Sequence, residues 1–167
     1  MTKSYTLIGM SGVGKSTIGK ELAKNLNKTF IDLDNVISDK KHQNLQTIIN
    51  NIGDKEFLKL EASTCLEVTF SNIVLAPGGS LIYSPEAMKY VKEKSTVIYL
   101  EDTYDNILNR IPNIQERGII GLLSDSFEDI YNERLPFYEK YSDLTITCTQ
   151  KSWASITNEI LEKVNHI

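Results

Sequence analysis

Cysteine is scarce in this 167-residue chain: Cys65 and Cys148 stand far apart, and neither has a C-x-x-C partner. A metal site or redox pair therefore has little support, and both are expected as buried thiols in a reducing compartment. Positive charge is not in excess either, since Lys and Arg number 18 against 22 Asp and Glu, a formal net charge of −4. That argues against a nucleic-acid or anionic-membrane surface, so any positive field must be local to a site. No apolar run approaches the length of a membrane span, and Tyr5-Thr6-Leu7-Ile8 follows Met1 too closely for a signal peptide. A cytoplasmic protein is expected. With no linker-like or low-complexity stretch, the sequence reads as a single domain over residues 1–167, with 41% hydrophobic and 24% charged residues as in an ordinary globular protein.

What the chain does have is Gly9-Met10-Ser11-Gly12-Val13-Gly14-Lys15-Ser16-Thr17, which fits the P-loop pattern G-x-x-x-x-G-K-[ST] at every fixed position. Glycines let the backbone curl so that successive N–H groups point at a phosphate, and the following helix adds its positive N-terminal end. Lys15 is expected to reach the β/γ-phosphates and the Ser16 hydroxyl to ligate Mg²⁺, with Gly12, Val13, Gly14 and Thr17 completing the ATP cradle. The context agrees: Tyr5 to Ile8 reads as a buried strand, and Ile18, Leu22 and Leu26 recur as one helix face does.

Further strands are predicted at Thr29 to Ile31, Ile73 to Ala76, Thr96 to Leu100 and Leu144 to Thr147, five in all. Between them lie helix signals: Asp54 as a cap before Phe57, Ser84-Pro85 as N-cap plus N1 proline, a capping box at Ser126 to Asp129, and Ser152 before a closing helix. Alternation of this kind predicts an α/β fold, a three-layer α/β/α arrangement with a five-stranded parallel sheet. Ligands of such sheets bind at the carboxyl ends of the strands. Two regions break the alternation. Residues 35–60 are read as an insertion cupping a second substrate, and residues 110–125, with Pro112, Gly118 and Gly121, as a mobile lid.

The chain has neither the D-x-x-G and N-K-x-D elements of GTPases nor the L-S-G-G-Q signature of transporter ATPases, which leaves the small phosphotransferases. Phosphoryl transfer needs positioned phosphates, a metal, arginines on the transferring group and an oriented hydroxyl. Phe30-Ile31-Asp32-Leu33-Asp34 places two carboxylates at the end of the second strand, with strand periodicity sending both to one side. Asp32 suits a metal held through water. Asp34 suits an acceptor hydroxyl, or else caps a helix starting at Asn35. Arg134, two residues before Pro136, has the geometry for a bidentate carboxylate, or forms a surface ion pair with a neighbouring glutamate. Arg117 faces the phosphates or is a solvated lid charge, Arg110 is a candidate for stacking near the adenine, and Trp153 reads as core packing.

The sequence resembles the shikimate kinase family through nearly its whole length. The likeness is carried by Gly9 to Thr17, Phe30 to Asp34, Phe57-x-x-x-Glu61, Pro77-Gly78-Gly79-Ser80, Arg117 and Asn132 to Glu139. It implies ATP-dependent phosphorylation of shikimate to shikimate 3-phosphate, with Mg²⁺ assisted by Ser16 and Asp32. By the same resemblance Asp34, Gly78, Gly79 and Arg134 bind the acceptor, Lys15, Asp34 and Arg117 are catalytic, and the Thr149 to Trp153 turn, with Gln150, borders the adenine. A monomer acting on a small molecule, with no nucleic-acid or membrane partner, is the corresponding expectation.

Two departures fall on the acceptor side. The family places an arginine directly after the helix phenylalanine, a second clamp on the acceptor carboxylate, where this chain has Leu58. Its loss corresponds to about ten- to a hundredfold in affinity unless Lys55 or Lys59 compensates. The family's three glycines after a threonine become Pro77-Gly78-Gly79-Ser80, and Pro77 removes one backbone donor. A kinase of another small polyol or hydroxy acid therefore remains an alternative, as does a non-catalytic ATP-binding module. Against the module stands the joint presence of Lys15, Ser16, Asp32, Asp34 and Arg117.

Overall fold

In the computed structural model, which describes residues 3–122 and 124–165, five strands form one parallel sheet in the order β2-β3-β1-β4-β5. They are β1 (Ser4–Ile8), β2 (Thr29–Asp32), β3 (Ile73–Ala76), β4 (Ser95–Glu101) and β5 (Leu144–Thr147), each at its predicted place within a residue at either end. β1 and β3 are buried along their whole length, as strands covered on both faces must be. Of the stretch from Arg110 to Asp125, residue 123 lies outside the described residues.

Helix α1 (Lys15–Asn25) connects β1 to β2 and packs with α8 (Trp153–Val164). The right-handed β1–α1–β2 crossover puts α1, with α8 packed on it, on one face, and the right-handed crossovers through α5 (Pro85–Lys94) and α7 (Phe127–Tyr141), both in contact with β4, put these on the other. Caps fix several starts as the sequence predicts: Ser84 accepts from the Ala87 amide, Ser152 from Ser155, and Ser126 forms a capping box with Asp129. Because β1 lies between β3 and β4, successive connections leave it in opposite directions, and a crevice opens beyond its carboxyl end. Gly9 begins there.

Three helices fill the connection from β2 to β3: α2 (Leu33–Lys41), α3 (Leu45–Ile52) and α4 (Asp54–Leu66). Two expectations change here. Asp34 lies in the first turn of α2 rather than on the strand, and the cap is Asp32, whose Oδ1 accepts from the amides of Asp34 and Asn35. A residue that ends a strand and starts a helix reorients its neighbours, so period-two reasoning stops at Asp32. Asp54 does not cap α4 either. It is the helix's first residue, Gly53 holds the cap position without a side-chain bond, and the Asp54 carboxylate accepts from the Gly121 amide instead. Helix α6 (Tyr104–Arg110) ends where the next stretch, with a 3₁₀ turn at Ile114–Glu116, crosses the crevice.

Candidate active site

The crevice holds a cavity of about 520 Å³, within the usual range for small-molecule sites. Gly12, Gly14, Lys15, Ser16, Thr17, Asp32, Asp34, Arg110 and Arg117 line it, together with Leu45, Gln46, Pro77 and Trp153. Gly14 turns the chain into α1 with φ 107°, and a Cβ there would meet the Trp153 ring at 2.7 Å. Only glycine satisfies both the left-handed conformation and that approach. Val13 is fully buried beneath the loop.

Lys15 folds back over the loop, donating from Nζ to the carbonyls of Gly9 at 2.8 Å and Met10 at 3.0 Å. Burial lowers its pKa to about 8, against the carboxylates of Asp34 and Asp32, which favour the charge. Ser16 Oγ donates to Asp32 Oδ2 at 2.6 Å, so one hydroxyl and one carboxylate meet at the cavity wall. That oxygen pair fits Mg²⁺, an ion that takes few protein ligands and fills its sphere with water and phosphate oxygens. Consistent with so sparse a donor set, the described residues contain no cluster of three His, Cys, Asp or Glu side chains that could hold a metal alone.

Trp153 packs against the core, as expected, and does more: half-buried, it lines the cavity against Gly14 and lies under Arg110, whose guanidinium carbon is 4.8 Å from the ring centroid. Arg110 is held there by an ion pair of 2.8 Å with the buried carboxylate of Asp102, which also accepts from the Thr103 amide, Asn106 and Thr149. Gln150 sits in the turn after β5 with φ 59°; it is exposed and outside the cavity lining.

Behind Asp34 lies a second, closed group of polar side chains. Burial, reinforced by the Asp32 charge, raises Asp34 to about 6. Glu61, on α4, is 1% exposed and raised to about 7 by burial and by the charge of Asp34. Its Oε2 accepts from Ser80 Oγ at 2.6 Å, while its Oε1 is buried without a partner. Gly78 separates the two acids so closely that a Cβ would meet Glu61 Oε1 and come within 2.8 Å of Asp34 Oδ1. A Cβ on Gly79 would lie 3.0 Å from an Arg134 nitrogen. Tyr138 fixes this turn by donating to the Gly79 carbonyl at 2.7 Å while its ring stacks on Tyr99.

Arg134 is no surface ion pair. It is 1% exposed, donates from Nη2 to the Ile120 carbonyl at 3.1 Å, lies over the Tyr83 ring, and keeps Nε buried and unpartnered. The neighbouring Glu133 is occupied by the Tyr83 hydroxyl. Helix α7 runs unbroken through Pro136. Neither lysine replaces a second clamp: Lys59 pairs with Glu56 at the surface, Lys55 is exposed, and Leu58 is half-buried in a shallow groove with Tyr83. Ser80 accounts for one departure in the glycine turn, because its φ of −95° suits any L residue and its hydroxyl is the partner of Glu61. Sequence reasoning left Glu61 and Tyr83 without roles. The signal for Glu61 was present: a charge one turn after Phe57, on the face that α4 buries.

A phosphate loop, a lysine, paired acids and two arginines on one crevice define a P-loop phosphotransferase. Comparison with known proteins narrows the class. The shikimate kinase family model matches residues 11–165. A shikimate kinase of Dictyoglomus turgidum is 32% identical over 98% of this chain and 98% of its own, and one of Francisella tularensis subsp. novicida is 35% identical over 95% and 93%. In structure, the shikimate kinase of Acinetobacter baumannii, solved in complex with shikimate, superposes with a TM-score of 0.90 at 26% identity, covering 99% of this chain and 94% of that one. The chain belongs to the shikimate kinase family.

Proposed function

We propose that this protein transfers the γ-phosphoryl group of ATP to the 3-hydroxyl of shikimate, in aromatic amino acid biosynthesis. The observation that carries the reading is the placement of Asp34: it borders the phosphate cavity with Lys15 and Arg117 and touches, across Gly78, the buried group of Glu61 and Arg134. A donor and an acceptor therefore meet at one carboxylate.

Arg134 offers its unpartnered Nε to the acceptor carboxylate, and Gly78 and Gly79 let the ring approach the backbone. Asp34 orients the attacking hydroxyl and takes its proton; with a pKa of about 6 it is ionised at neutral pH yet more basic than an ordinary carboxylate. The hydroxyl oxygen forms the new bond to the γ-phosphorus as the bond to the β,γ-bridging oxygen breaks, and ADP leaves with that electron pair. Lys15 and Arg117 stabilise the charge that develops there, while the loop amides from Gly12 to Thr17 hold the remaining phosphates. Family members use ATP with Mg²⁺; Ser16 and Asp32 would hold the ion, which supplies charge neutralisation on the phosphates. Arg110 and Trp153 form the walls for the adenine, with Gln150 at its margin.

We read residues 35–60 as the acceptor-side insertion and 110–125 as the lid of a single domain. A cytoplasmic monomer acting on a small molecule, without nucleic-acid or membrane partners, belongs to the same reading, for which the net charge of −4 is the support. The test is ADP release in a coupled assay with shikimate, quinate, gluconate and homoserine. Stimulation by shikimate above the others is expected; stimulation by another acceptor alone, or by none with ATP still bound, overturns the reading.

A further inference from the structure

The stretch that carries Arg117 is tied down by side chains whose bonds serve no element of their own. The Gly118 amide donates to Gln46 Oε1 at 3.1 Å, and Gln46 is aimed by its own Nε2, which donates to Asn50 Oδ1 one turn along α3 at 2.9 Å. The Gly121 amide donates to Asp54 Oδ2 at 3.0 Å across 67 positions of sequence. Asp54 begins α4, where an acidic side chain ordinarily bonds its own helix's free amides, yet its carboxylate is spent on the distant chain. Between the two anchored amides, Ile119 and Ile120 are buried, and the Ile120 carbonyl is held by Arg134.

The geometry links these anchors to chemistry. Gly118 N belongs to the peptide unit that follows Arg117, so Gln46 fixes the plane from which Arg117 projects toward the cavity. Arg117 itself is exposed and has no ion-pair partner among the described residues, so its place over the phosphates is set by its backbone. We propose that Gln46 and Asp54 are positioning residues for phosphoryl transfer: the two side chains latch residues 113–122 over the phosphate cavity and thereby place Arg117. The proposal rests on the kinase reading above for its effect on turnover, whereas the latch itself is read by a cleavage that needs no acceptor. Binding of a carboxylate at Arg134 would tighten the same stretch, because that arginine's Nη2 already holds Ile120.

The test compares Gln46→Ala and Asp54→Ala with Asp54→Asn, which retains an acceptor oxygen for the Gly121 amide. Limited trypsin cleavage after Arg117 in the ligand-free protein reads the latch whatever the acceptor is. Each alanine variant is expected to be cut there roughly three- to tenfold faster, the range for losing one hydrogen bond, with cleavage elsewhere unchanged. With shikimate and ATP the same variants should lose kcat by a similar factor and release more ADP per phosphorylated product, and Asp54→Asn should stay within about twofold of wild type. Unchanged cleavage after Arg117 in both alanine variants overturns the proposal, as does acceleration spread equally over all sites. A failure of shikimate turnover in the wild type, with faster Arg117 cleavage in the variants, would sink the substrate reading and leave the latch standing.

Discussion

On the proposed reading, the phosphates are met largely by one loop's backbone and the acceptor by side chains drawn from several elements. The donor half is built on one continuous stretch, Gly9 to Thr17, between the end of β1 and the first turn of α1, with Asp32, Arg110, Arg117 and Trp153 joining it at the cavity. The acceptor half draws Asp34 from α2, Glu61 from α4, Ser80 from the turn after β3 and Arg134 from α7; Glu61 and Arg134 are buried against one glycine turn, and Asp34 is half-buried between that turn and the cavity. A backbone cradle tolerates many side chains at its variable positions. A buried ionic group does not, because removing any partner leaves an uncompensated charge. This contrast fits the departure in the glycine turn, where the Ser80 hydroxyl is the partner of Glu61; at Leu58 no neighbouring side chain takes the place of the missing guanidinium.

The sharpest way to break the comparison is at Lys15. Lys15→Met should reduce kcat to background in the ADP-release assay while the melting temperature holds, because burial already disfavours the lysine's charge. Wild-type kcat in that variant would remove the phosphate assignment. Asp34→Asn comes next, with a loss of at least ~10² in kcat through loss of the proton acceptor. An unchanged kcat would take Asp34 out of the mechanism and detach the acceptor half from the donor half.

Leu58→Arg acts on the acceptor half alone. The side chain at 58 lies beside Tyr83, whose ring covers Arg134, so a guanidinium there can join Arg134 at an acceptor carboxylate. We expect KM for shikimate to fall by up to about tenfold with kcat and KM for ATP unchanged. Lost activity with shikimate would show that the apolar side chain is part of the acceptor's fit.

How much of this could be read in advance follows the same division. Five strands, the phosphate loop and three of the helix caps were legible because their signals are local: alternation, glycine spacing, Ser three residues before an amide that needs a partner. Asp54 looked like a fourth cap and is not one, since the Gly121 amide competes for it from 67 positions away. Trp153 reads as core and does pack against it; that it also lines the cavity against Gly14 depends on how α8 packs along α1. Arg134 carried a sequence signal for carboxylate binding, but its burial, and the diversion of Glu133 to Tyr83, exist only once α7 is packed.

The smallest expected effect separates the halves by pH. Glu61 binds its proton more tightly in the folded protein than in the unfolded chain, since burial raises its pKa from 4.5 to about 7. Folding therefore favours the protonated acid. The associated stability is fully present below about pH 4.5 and is lost as pH rises through about 7. Glu61→Gln keeps an oxygen to accept from Ser80 but cannot ionise, so it should escape that loss. Melting temperatures of the two ligand-free proteins should diverge between pH 5 and pH 8, with the glutamine variant ahead by about 5 °C at the upper end. Lys15 titrates with the opposite sign, its stability cost appearing as pH falls from about 10.5 through about 8, and it is common to both proteins, so it cancels in the difference. A difference that is flat across this range would mean that Glu61 is ionised in the folded protein at all these pH values. The buried acceptor group would then be held by Arg134 as an ion pair rather than by a shared proton.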